Sequence, residues 1–379
     1  MTVAEPPALT GPHFGSYAPD EVTWLLKDLS GFHLEAPTEQ REAAVQSGRA
    51  HYAESLPIEY QPDERYQDLF DAVLAESAER LAVAVGAMTE LIVAERGRDV
   101  ALVSLARAGT PIGILARRYA RAALDLDLPH YTISIVRGRG IDTVALDYLR
   151  RRHDPAAVVF IDGWTGKGAI ARELDAALEG TGFNSELAVL ADPGECVRTY
   201  GTRDDFLIAS ACLNSTVSGL VSRTVLNRDL IGPNDFHGAK FYRELAGVDA
   251  SGKLLDAVSA RFDPAAARAQ ADAVRASDRT PTWSGWASVD KVRAEYGIST
   301  VNFVKPGVGE TTRVLLRRVP WRVLVRSADD PDHRHIRLLA ADRGVPVDVV
   351  SDLAYSCMGL VRDVSEDDPG PAPEHTATS

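Results

Sequence analysis

Asp162 closes the apolar run Val158-Val159-Phe160-Ile161 and is followed by Gly163-Trp164-Thr165-Gly166-Lys167-Gly168. A carboxyl at the end of a buried strand can hold hydroxyl groups or move a proton. A Gly-rich turn entering a helix aims several unsatisfied N–H groups at one point, which suits an anion. Thr165, Gly166, Lys167 and Gly168 would form that turn. A P-loop needs four residues before its Gly-Lys and then Ser or Thr. Only two residues separate Gly163 from Gly166, and Gly168 follows Lys167, so the P-loop is excluded. A second turn of this kind, Arg107-Ala108-Gly109-Thr110-Pro111, follows the run Val100-Ala101-Leu102-Val103-Ser104-Leu105 and brings a guanidinium. Arg137-Gly138-Arg139-Gly140 sets two arginines among glycines and reads as a mobile cationic loop or as a solvated basic turn. Cys212 and His237 are residue types that serve as nucleophile and base. Cys212 also ends an apolar run, where a buried inert thiol is the competing reading.

These residues need a scaffold, and the pattern supplies one. Buried strands are expected at 100–105, 131–136, 158–161, 187–190 and 206–213. Helices alternate with them: one turns Ile112, Leu115, Ala116 and Tyr119 inward, and another carries Ile170, Leu174 and Leu178 at a spacing of four. This alternation predicts a doubly wound parallel α/β sheet. Ligands in such sheets bind beyond the strand C-termini, where Asp162, Thr165, Arg107 and Gly109 would gather. Residues 1–19 are Pro- and Gly-rich and read as disordered. Asp20 reads as the N-cap of a helix over 21–27, and residues 66–94 carry a helical face with Leu69, Val73, Leu81 and Val85. The composition shifts near 285, so the expected domains are 20–285 and 286–363, with an acidic disordered tail over 364–379.

The chain has 379 residues, 45% apolar and 25% charged, as soluble globular proteins do. A net charge of −13 argues against a whole-surface nucleic-acid binder. Residues 291–363, however, hold twelve Lys/Arg against nine Asp/Glu. Cys196, Cys212 and Cys357 are too widely spaced for a zinc pattern or a disulfide framework, which points to the cytoplasm. No apolar run reaches the length of a membrane span, and residues 1–7 do not read as a secretory leader.

The turns at Arg107-Ala108-Gly109 and at Asp162–Gly168, in that order, resemble the pyrophosphate and ribose-phosphate loops of type I phosphoribosyltransferases. The departure is Asp162, which stands alone where that pattern has two adjacent acids. Gly307-Val308-Gly309-Glu310-Thr311-Thr312-Arg313 resembles the G-x-N-E-x-T-K helix start of Pelota-type relatives of kink-turn RNA-binding proteins, with Gly309 for Asn and Arg313 for Lys. Residues 15–363 as a whole resemble a bacterial family found with tellurite-resistance and stress-response genes, called StiP or the phosphoribosyltransferase–Pelota family.

The resemblance implies a phosphoribosyltransferase-like sheet with an N-terminal helical extension, followed by a Pelota-like α/β/α domain. It implies transfer chemistry on phosphoribosyl pyrophosphate or a nucleotide in a specialised nucleoside pathway. Asp162, Arg107, Arg137 and Arg139 would be catalytic. Ala108, Gly109, Thr110, Thr165, Gly166, Lys167 and Gly168 would hold substrate, and Mg²⁺ would arrive with the pyrophosphate. Structured RNA would meet Gly307, Gly309, Glu310 and Arg313, with Arg317, Arg318 and Arg322 extending the positive surface. No membrane partner is expected, and a homodimer is left open. Two other classes remain. One is a cysteine peptidase using Cys212 and His237, which the family's protease label suggests. The other is a non-catalytic sensor of nucleotides or RNA.

Overall fold

The computed structural model describes residues 5–36, 51, 53–59 and 61–361. The chain forms two compact units, Met1–Trp286 and Ala287–Ser379. The first is built on six parallel strands: β1 (Thr23–Trp24), β2 (Ala101–Leu105), β3 (His130–Ile133), β4 (Val158–Trp164), β5 (Leu187–Ala191) and β6 (Thr199–Thr202). Their order is β1-β3-β2-β4-β5-β6. Strands β2 and β5 are buried along their whole length, which is why they read as unbroken apolar runs. The helices are α1 (Glu64–Arg96), α2 (Gly109–Leu124), α3 (Thr143–Arg150), α4 (Ala169–Leu178), α5 (Ser251–Ser259) and α6 (Pro264–Ala276). Asp63 caps α1 by accepting from Tyr66 N, and α1 lays Phe70, Leu74, Leu81, Val85, Met88 and Leu91 against the core. It packs on α2, α5, α6 and β6.

Three expectations are corrected. Residues 21–27 hold strand β1, not a helix, because Trp24, Leu25 and Leu26 are all completely buried and no helical face alternates with solvent. Residues 5–19 are ordered against that strand: Leu9 bridges Trp24, Tyr17 stacks on its indole and Phe14 meets it edge-on. Residues 206–213 form a 3-10 turn (Ala209–Ala211) beside α1, and the sixth strand is Thr199–Thr202.

The helix α7 (Ser284–Glu295) spans the division. The second unit then contains β7 (Val304–Pro306), α8 (Val308–Arg317), β8 (Pro320–Val325), α9 (Arg334–Asp342), β9 (Val347–Val349) and β10 (Cys357–Val361). The sheet order is β7-β10-β8-β9, with β10 antiparallel to both neighbours and β9 parallel to β8. The expected tail, 364–379, lies outside the described residues, as do residues 1–4. Among the described residues no helix is long and apolar enough to cross a membrane.

Candidate active site

Strand β4 continues past its apolar run, so Asp162, Gly163 and Trp164 lie in the strand, with Asp162 opposite Val189 and Trp164 opposite Ala191. The turn itself is Thr165–Gly168, and Gly168 takes φ +72° to start α4. Asp162 is half-buried and accepts from Gly163 N at 2.8 Å; burial pushes its carboxyl up to about 7. The start of α2 presses on the same place. A Cβ on Gly109 would stand 3.1 Å from Asp162 Cα and closer still to the Ile161 carbonyl oxygen. Glycine there lets the Arg107–Thr110 turn approach Asp162 closely.

The side chains of the second turn go elsewhere than expected. Arg107 Nη1 donates to Val221 O at 3.4 Å and stands 4.0 Å from Glu59. The Ala106–Arg107 peptide is cis, and Ala108 is the N-cap residue of α2. Thr110 is buried, with its hydroxyl 3.2 Å from that of Thr132, so it faces the sheet rather than a ligand.

On the other side of the turn stands a cluster not foreseen from the sequence. Thr165 Oγ1 donates to Asp192 at 2.5 Å, and Asp192 also accepts from the backbone of Cys196 at 2.8 Å and Val197 at 3.3 Å. Burial outweighs these bonds and raises the Asp192 carboxyl to about 6. The Cys196 thiol lies 3.3 Å from Gly194 O and 3.7 Å from Gly166 O. Burial, and then the Asp192 charge, push it up to about 12. The signal for this cluster was present: Leu187–Ala191 is an apolar run closed by an acid, as β4 is.

Arg137, Gly138 and Arg139 are exposed, and Arg137–Gly140 has defined partners. It is the turn of a hairpin in which Ile135–Val136 pairs with Gly140–Ile141. Glu173 on α4 accepts from Gly138 N at 2.8 Å and Gly140 N at 2.9 Å. Arg139 stands 3.6 Å from Glu54, and His51 hydrogen-bonds the Arg137 backbone. Lys167 contributes its carbonyl to Arg172 at 3.1 Å.

Cys212 and His237 are both buried. Cys212 is completely buried beside the 3-10 turn, and three residues on Ser215 N and Oγ donate to Glu59 at 3.0 and 2.7 Å. His237 Nδ1 is hydrogen-bonded to Ser134 Oγ at 2.9 Å, and His237 N donates to Asp142 at 2.6 Å. The segments 220–225 and 238–242 form a ladder through Leu220/Tyr242, Ser222/Lys240 and Val225/Gly238. His237 precedes Gly238 at the Val225 end of that ladder. Burial lowers its imidazole below the usual range.

In the second unit Gly307 (φ +82°) opens α8. Gly309 and Glu310 lie in its first turn, and Glu310 pairs with Arg313 at 3.1 Å. Arg322, expected to extend the positive surface, is paired with Asp348 at 2.5 Å. The side chain of Arg317 lies outside the described residues. Among the described residues no group of three or more His, Cys, Asp or Glu side chains is placed to hold a metal ion.

Residues 15–259 match the family described as "Tellurite-like stress resistance cysteine protease StiP". Residues 283–363 match the "PELOTA RNA binding domain". A protein of Acinetobacter baylyi named "Cysteine protease StiP" is 36% identical over 356 residues, which is 89% of this chain and 91% of that protein. Phosphoribosyl transfer, the activity expected from the two turns, is corrected by these matches, since the family and the relative carry a peptidase name. The chain belongs to the StiP family and carries a Pelota RNA-binding domain on its C-terminal side.

Proposed function

We propose that the first unit is a thiol-dependent peptidase. The observation that carries this reading is the near full-length similarity to a protein named as a cysteine protease. We read its sheet as the phosphoribosyltransferase type of doubly wound sheet put to another chemistry; the paired βα turns support that reading of the fold.

Three free thiols could serve. Cys212 and Cys357 are completely buried, and Cys357 sits in the second unit 3.5 Å from Thr311 Oγ1. Cys196 is 4% exposed and lies beyond the C-terminal ends of β4 and β5, where open parallel sheets bind ligands. It also touches the start of α4, and a helix N-terminus stabilises a thiolate. We therefore favour Cys196 as the nucleophile, with Asp192, which accepts from the Cys196 amide, as the candidate base. The thiolate would add to a peptide carbonyl, and the C–N bond would break as the amine leaves with a proton. Water would then release the acid from the thioester.

Hydrolysis of casein and of a peptide library by the parent and by the three Cys→Ser variants tests the reading. Cys196→Ser is expected to lower turnover by about a hundredfold or more. Loss in Cys212→Ser alone moves the nucleophile there. Turnover absent from the parent, or unchanged in all three variants, ends the peptidase reading. A second reading concerns the C-terminal unit, where the matched domain favours binding of structured RNA.

A further inference from the structure

The segment between α6 and α7 is fastened across the thiol just described. Trp283 N donates to Glu195 O at 3.1 Å, and Gly285 N donates to Gly194 O at 3.3 Å, so the two residues before Cys196 hold the entry to α7. Thr282 Oγ1 donates to the Glu195 carboxylate. Farther back, Arg279 is paired with Glu95 at 2.7 Å and donates to Arg198 O at 3.3 Å. Trp283 and Glu195 both adopt the left-handed backbone region, at φ 56° and 52°, which L-residues seldom occupy.

The indole is the centre of this contact. It lies so close to Gly168 that a Cβ there would collide with it, and the same Cβ would stand 2.8 Å from Cys196 Sγ. Gly168 is thus the floor of a recess that holds a flat ring beside a thiol. The Arg172 guanidinium, on α4, sits 5.0 Å from the Trp283 ring and 4.8 Å from that of Trp286. A cation over an aromatic face adds to the contact.

We propose that Trp283 is a plug seated in the substrate recess of the first unit, and that an aromatic side chain of a substrate peptide takes its place when the segment lifts. The inference rests on the peptidase reading in one respect, that the occupant which replaces Trp283 belongs to a substrate. The recess itself is a matter of geometry. With the plug seated, the thiol is shut from water and held as S–H, its value near 12 leaving almost no thiolate at neutral pH. Lifting the indole exposes Sγ to solvent at the start of α4, where the helix dipole favours the thiolate.

The test reads the thiol rather than turnover. Full-length parent, Trp283→Ala and Arg172→Ala are treated with iodoacetamide, and labelling of each cysteine is followed by peptide mass spectrometry. Trp283→Ala is expected to speed labelling of Cys196 about tenfold or more, with Cys212 and Cys357 unchanged. Arg172 is exposed, so Arg172→Ala loosens the cover without opening a cavity and is expected to give a smaller rise. N-acetyltryptophanamide should restore protection in Trp283→Ala, and N-acetylalaninamide should not. Equal Cys196 labelling in the parent and both variants overturns the proposal. So does acceleration of all three cysteines together, or absence of protection by the indole ligand. If labelling and protection behave as expected while no protein hydrolyses peptide, the plugged recess stands and the peptidase reading fails.

Discussion

Asp162 lies within β4 and Asp192 follows the neighbouring β5, and burial raises both carboxyls, but their partners differ. Asp162 accepts one bond, from the amide of the next residue. Asp192 accepts from a hydroxyl and two amides that would otherwise be buried without an acceptor. Asp162 binds a proton in the folded chain up to about pH 7, whereas unfolded it releases one near pH 4. The Asp162 contribution to folded stability therefore falls as pH rises from about 4 to 7 and levels off above that. Asp162→Asn is expected to stabilise the chain by about 1–3 kcal/mol at pH 8, with the gain vanishing below about pH 4. Asp192→Ala should destabilise at both ends of that range. Thermal melting at pH 4, 6 and 8 checks both, and a loss of stability in Asp162→Asn at pH 8 would refute the account. Asp162 was legible in the sequence because an acid closing an apolar run is a local pattern. Glu59 was not, since its role depends on Arg107 and Ser215, which are distant in the chain.

At the scale of elements, local chemistry was legible where burial is continuous. Strands β2, β4 and β5 are buried through most of their length, and α1 and α2 carry clear faces, so their sequences speak for them. The pattern failed where a partner decides the outcome. Phe206, Leu207 and Ile208 are as buried as a strand, but they form none, and the Phe206 ring meets Arg80 of α1. The hairpin at 135–141 is the other case, because its glycines and arginines look loose until Glu173 reaches them from α4. Its two charge-assisted bonds hold the turn down. Glu173→Ala should therefore free the Gly138 and Gly140 amides to exchange hydrogen with solvent while those of α4 stay protected. The expected cost is about 1–3 kcal/mol, the range for losing a charged acceptor. Unchanged protection at both glycines would mean that strand pairing alone fixes the turn.

Across the whole molecule, charge is unevenly spread, with −13 in total and a small positive excess over residues 291–363. An RNA approaching this chain meets general repulsion and local attraction. The repulsion is screened beyond about 8 Å at physiological ionic strength, so contact depends on a few exposed cations. The expected Arg313 is already paired with Glu310, and Arg322 with Asp348, so each must exchange an internal partner for a phosphate. Arg326 and Arg334 are exposed and make no ion pair among the described residues. Each phosphate neutralised releases counterions, so the loss of a true phosphate contact lowers the slope of log K against log salt by about one. Arg326→Ala and Arg334→Ala are therefore expected to flatten that slope more than Arg313→Ala or Arg322→Ala does. Glu310→Gln should raise affinity for every RNA by releasing Arg313 and removing a negative charge. Titration of the full chain with a structured RNA and an unstructured RNA of equal length, at several salt concentrations, gives all these slopes. If Arg313→Ala flattens the slope most and Glu310→Gln lowers discrimination between the RNAs without raising affinity, the start of α8 reads the RNA directly. The ion pairs seen here would then be broken on binding.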